Sequence, residues 1–125
     1  MHEFGLLRSV AAAVERAANE AGATRVTQVA LRVGDLSGAV PEALLGSWPM
    51  VVAGTPLADA TLSVEPVGAA IWCPVCAAER PIDAFFALAC PVCDTPTGQL
   101  VRGREFEIAW VEWDVDDQSS HDPST

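Results

Sequence analysis

Near the start of the chain, apolar residues recur with a helical period. Phe4, Leu7, Val10, Val14, Ala17 and Ala21 fall three or four positions apart, with Glu15, Arg16 and Glu20 on the other side. The spacing predicts an amphipathic helix from about Glu3 to Ala21, and Gly22 supplies a stop. The period then changes to two. Thr27, Val29, Leu31 and Val33 alternate with Gln28, Ala30 and Arg32, the pattern of a strand with one buried face. Gly34-Asp35-Leu36-Ser37-Gly38 is turn chemistry. A second helix is expected from Pro41, whose ring suits a first helical position, with Glu42 near the positive helix end. Leu44, Leu45, Trp48, Val51 and Val52 are its candidate inward face. Pro49 lacks a backbone N–H, so the helix is expected to kink or end around Ser47-Trp48. Alternation returns over residues 61–67 and again over 104–113. In the latter, Phe106, Ile108 and Trp110 oppose Glu105, Glu107 and Ala109. These are the second and third strands.

Residues 70–100 break the pattern. They show little periodicity, hold all four cysteines and carry four of the nine prolines. Cys73-Pro74-Val75-Cys76 and Cys90-Pro91-Val92-Cys93 are separated by thirteen residues. Two such knuckles facing each other offer four thiolates to a tetrahedral ion, and Zn(II) is the expected occupant. Iron in the same cage and a redox dithiol are the alternatives. An all-sulfur site leaves no open coordination position, which points to a structural metal. Glycine often follows the second cysteine of a knuckle, because the turn favours positive φ. Here Ala77 and Asp94 stand there, and Ala77 is the more strained of the two.

Composition narrows the classes. The 125 residues suit one compact domain with a small appendage, and the formal net charge is −10. A dication held by four thiolates leaves two further negative charges uncompensated. Nucleic acid and anionic membranes are therefore not expected as partners. No apolar run reaches the ~18 residues of a membrane span. Glu3 and Arg8 interrupt what would be a secretory leader, so a cytoplasmic location is expected, where paired cysteines bind metal rather than form disulfides. Residues 114–125 are acidic and polar and are expected to be a disordered tail. The chain has no Ser/His/Asp set and no phosphate-binding glycine loop. An enzyme is not expected, and no catalytic residue is assigned.

One further constellation stands at the start, Met1-His2-Glu3; the other histidine is His121. A histidine near a terminus is ordinarily a solvated surface residue. Here a free amine, the His2 backbone nitrogen and the His2 imidazole close adjacent five- and six-membered chelate rings on one ion. Such nitrogen-rich, near-planar binding suits Ni(II) or Cu(II). Glu3 can add a carboxylate oxygen or its backbone amide.

Taken in order, "MHE" running into a helix, "RVTQVALRVGDLSGAVPEAL" over 25–44, the two knuckles and "GREFEI" over 103–108 resemble the HypA/HybF family of nickel metallochaperones of hydrogenase maturation. The resemblance covers about residues 1–113. It implies an α+β fold, with two helices packed on a three-stranded sheet and an inserted four-cysteine, zinc-ribbon-like domain. The expected partition is a nickel-binding body of residues 1–69 plus 101–113 and a zinc domain of 70–100. The resemblance further implies that His2 and Glu3, with Met1, bind transient Ni(II), and that Cys73, Cys76, Cys90 and Cys93 hold structural Zn(II). It implies nickel delivery to [NiFe]-hydrogenase, in some organisms also urease, with the GTPase HypB and the hydrogenase large subunit as partners. Pro49 and Ala77 depart from the family pattern. The rival reading is a zinc-ribbon module for protein or nucleic-acid interaction without a labile metal.

Overall fold

The computed structural model describes residues 2–83 and 88–115. Its elements are α1 (His2–Ala21), β1 (Ala23–Gly34), α2 (Pro41–Val52), β2 (Thr61–Val67), β3 (Ala70–Cys73), β4 (Ala78–Pro81), β5 (Leu100–Arg102) and β6 (Phe106–Val115). They form two three-stranded sheets, ordered β2-β1-β6 and β4-β3-β5. Packing groups the residues into two units. One holds α1, β1 to Leu31, α2, the start of β2 and β6 from Ile108. The other holds residues 32–39 and the described part of 65–107.

In the first unit α1 packs against α2. The buried stripe of α1 is Glu3, Leu7, Val10, Ala11, Val14 and Ala18. It is rotated from the expected one: Ala17 and Ala21 are exposed and Phe4 is half-buried. Alanine is small enough to stand on either face, so its positions do not fix a helix's rotation. Gly22 ends α1 at φ 73°, its amide donating to Asn19 O at 3.2 Å. That left-handed position suits glycine.

Helix α2 does not end at Ser47-Trp48. It runs through Pro49 to Val52. Its buried residues are Leu44, Trp48 and Val52, one per turn. The Trp48 indole N–H donates to the Ala60 carbonyl at 2.9 Å. Pro49 deprives only the Leu45 carbonyl of a helical donor. Leu45 is exposed, so water can take that place. Burial of Trp48 on the opposite side outweighs the loss. Leu45 and Val51 do not belong to the fully buried face.

Strand β1 is central, and Val29, Ala30, Leu31 and Val33 are all buried. Expected one-sided burial is therefore incomplete, because a central strand is covered more fully. Thr24 Oγ1 donates to Asp114 O at 3.3 Å and Thr27 Oγ1 to Glu112 O at 3.0 Å. The partners descend as β1 ascends, so β1 and β6 are antiparallel. Strand β6 is an edge. Ile108 and Trp110, on the apolar side of the alternation, are exposed large apolar residues. The strand also runs to Val115, past the expected start of the acidic tail at 114.

In the second unit the sequence showed little periodicity, yet it contains a sheet. Its strands are only three or four residues long, too short to display a period. β3 pairs antiparallel with both β4 and β5. A glycine pair closes this unit. Gly34 N donates to Glu105 O at 2.7 Å and Leu36 N to Gly103 O at 2.6 Å. A Cβ at Gly34 would collide with the Gly103 carbonyl, so only glycine permits this approach of backbones.

Candidate metal centre

The sheet places the knuckles. Cys73 is the last residue of β3 and is fully buried; Cys76 lies in the turn that leads to β4. Cys76 N donates to Cys73 Sγ at 3.3 Å. In the second knuckle Val92 N donates to Cys90 Sγ at 3.4 Å. The loop is closed by Asp94 N to Cys90 O at 2.8 Å and Cys90 N to Thr95 O at 2.9 Å. Both residues that follow the second cysteines have positive φ, Ala77 at 54° and Asp94 at 63°. The turn that sequence spacing predicts is therefore the one formed.

All four sulfurs lie within 4.8 Å of one another. Cys73 to Cys93 is 3.6 Å, Cys76 to Cys93 is 3.7 Å and Cys76 to Cys90 is 3.9 Å. A tetrahedron with zinc–sulfur bonds of ~2.3 Å has edges of about 3.8 Å. The cluster has that size, and its donors are all soft sulfur. The residues fit a four-coordinate zinc ion.

The sulfurs are not equivalent. Thr95 hydrogen-bonds to Cys93 through its hydroxyl, 3.0 Å from Sγ, and through its backbone, and this holds the thiol down to about 6. For Cys90, burial raises the thiol, but the amides of Cys93 and Val92 outweigh it and the net direction is down. For Cys76, Arg80 pulls down, but the Cys93 thiol, burial and the other two cysteines prevail and push it up to about 11.

Thr95 and Arg80 are absent from the sequence-based site. Arg80 had a signal: it is the sole basic residue in 70–100. Its partner across the strands is Ile71, as Ala78 is the partner of Cys73. Side chains alternate along a strand, so Arg80 shares a sheet face with Cys73. Its Nε is buried without a hydrogen-bond partner among the described residues, and proximity to Cys76 and then Cys90 raises its pKa further.

The N-terminal residues lie in the first unit. His2 opens α1, with an exposed imidazole whose Nδ1 is 4.0 Å from Glu3 Oε1. Its backbone amide is among the first four of a helix, which no helical carbonyl accepts. Glu3 is buried. Its Oε2 accepts a hydrogen bond from Val40 N at 3.2 Å. Hydrogen bonding from its own backbone amide, with the Val40 amide assisting, lowers its pKa. Met1, Phe85, Phe86 and His121 lie outside the described residues, as does the tail beyond Val115.

A small α+β protein with a four-cysteine metal cage is the class that fold and site define. Comparison with known proteins narrows it. A family model described as hydrogenase/urease nickel incorporation, metallochaperone, HypA matches residues 1–113. The hydrogenase maturation factor HypA of Chloroflexus aurantiacus is 41% identical over 112 residues, 90% of this chain and 98% of that protein. That of Streptomyces avermitilis is 38% identical over 115 residues, covering 91% and 88%. The solution structure of the Ni metallochaperone HypA from Helicobacter pylori superposes with a TM-score of 0.65 at 17% identity, covering 91% of this chain and 98% of that one. The chain belongs to the HypA family of hydrogenase/urease nickel metallochaperones. Its relatives are named as maturation factors. No helix among the described residues is long and apolar enough to cross a membrane.

Proposed function

We propose that this chain carries Ni(II) at its N-terminus and delivers it to [NiFe]-hydrogenase in the cytoplasm. HypB and the hydrogenase large subunit are its partners. It performs no catalysis. The ligands are the Met1 amine, the backbone nitrogen and imidazole of His2, and Glu3. The supporting observation is the start of α1: the His2 imidazole is exposed, and the adjoining backbone nitrogens have no helical acceptor. Glu3, whose carboxylate accepts from Val40, adds a carboxylate oxygen or its backbone amide as the fourth donor. Structural Zn(II) at Cys73, Cys76, Cys90 and Cys93 staples the second unit, and the nickel function belongs to the first.

Nickel titration of zinc-loaded protein tests this reading. His2→Ala removes the imidazole, and a short Gly-Ser extension ahead of Met1 breaks the first chelate ring. Both changes should weaken nickel binding strongly and leave zinc content intact. Nitrogen donors bind metal only when unprotonated, so affinity should fall as the solution is acidified. Unchanged nickel binding by His2→Ala would overturn the assignment.

A further inference from the structure

We infer that Arg80 is the built-in counter-charge of the four-cysteine centre: its guanidinium offsets the negative charge of the metal-bound sulfurs and so retards metal loss. The inference rests on the reading of that centre as a zinc site.

Four thiolates around a dication leave a doubly negative group in a partly buried place, and such charge is costly unless it is met by donors or cations. Backbone amides supply part of the compensation, at Cys76 to Cys73 and Val92 to Cys90. They are dipoles and leave the net charge unchanged. The one formal cation between residues 70 and 100 is Arg80. Register places it on the sheet face that carries Ile71 and Cys73, and both of those side chains are fully buried. The next residue back, Glu79, is on the opposite face, paired with Trp72. Its carboxylate is occupied by Arg102 at 2.7 Å. The acid nearest in sequence to Arg80 is thus committed elsewhere. Arg80 Nε is buried with no hydrogen-bond partner among the described residues. A buried, unpartnered guanidinium edge is costly unless negative charge lies near it, and interaction with Cys76 first and Cys90 next raises the pKa of Arg80. A planar, permanently charged fork spreads its field over more than one sulfur, which an ammonium does less well.

Arg80 is therefore a positioning residue for the metal rather than a ligand. The test compares wild type, Arg80→Gln, Arg80→Lys and, as a charge control on the outer face, Arg102→Gln. The rate of zinc transfer to a chromogenic chelator should rise at least about tenfold in Arg80→Gln, the scale of a lost charge-assisted contact. Arg80→Lys should recover part of that loss, and Arg102→Gln should release zinc at the wild-type rate. In cobalt-substituted protein, the sulfur-to-metal charge-transfer band should move to lower energy in Arg80→Gln, because uncompensated sulfurs are easier to oxidise. A purely structural role would not move that band. Equal release rates and an unmoved band in zinc-retaining Arg80→Gln would overturn this inference alone. Wild-type protein that holds no zinc would overturn the zinc reading and the inference with it. If Arg80→Gln does not fold, Arg80→Lys decides: release at the wild-type rate with an unmoved band overturns the inference, and intermediate release supports it.

Discussion

Glu3 reaches across 37 positions of sequence to accept the backbone amide of Val40, the residue that caps helix α2. One carboxylate thus ties the first turn of α1 to the start of α2 and fixes the backbone beside His2. Val40 has no side-chain cap of its own, so the bond serves a helix start as well.

Glu3→Ala should lower the melting temperature and loosen the N-terminal turn. The pKa of Glu3 is lowered in the folded protein. A lowered carboxylate stabilises the fold above its unfolded pKa, and the contribution disappears as pH falls through the folded value. Melting curves recorded from pH 7 down to pH 3 should therefore converge for wild type and Glu3→Ala at the acid end. Parallel curves would contradict the role.

Zinc loading should also fall with pH. In metal-free protein Cys93 is held at about 6 and Cys76 is raised to about 11. Near pH 7 the first is largely thiolate and the second keeps its proton, so zinc uptake must displace protons. Binding measured in weak buffer should release acid, and affinity should decline steadily between pH 8 and pH 5. Replacing Cys73 and Cys76 together by serine should abolish zinc binding. Loss of dispersion should then appear in the amide spectra of residues 70–100, while the first unit stays folded.

Ala77 occupies a left-handed position at φ 54°. Such a conformation costs a non-glycine residue about 1–2 kcal/mol. Ala77→Gly should remove that strain at the knuckle and slow zinc transfer to a chelator several-fold. A faster transfer would show that the added freedom of glycine in the unfolded loop outweighs the relief.

Trp48→Phe should destabilise the first unit by about 1–3 kcal/mol, because the Ala60 carbonyl loses its donor in a buried place. Denaturant unfolding monitored by far-ultraviolet circular dichroism measures this. Trp48→Ala should cost more, about 3–5 kcal/mol, through the cavity that it opens.

Much of this protein is legible along the chain. The 3.6-residue period of α1, the two-residue period of β1 and the paired knuckles are local patterns. Helical rise, strand pleat and the short Cys-x-x-Cys turn impose them within a few residues, so Cys73, Cys76, Cys90 and Cys93 declare their purpose without a fold. The tertiary structure decided what depends on distant neighbours. Trp48 is buried against Ala60, and that packing carries α2 through a proline that local rules would have made its end. β6 lies at an edge, and that position leaves Ile108 and Trp110 exposed despite their alternation. Strands β3, β4 and β5 are too short to carry a period and exist through their pairing. Arg80 shares a sheet face with Cys73 only because β4 folds back on β3. Glu3 meets Val40 only because α1 and α2 pack against each other. Periodicity is a property of the backbone within one element. A side chain's partner is a property of chain closure, which no single stretch of sequence contains.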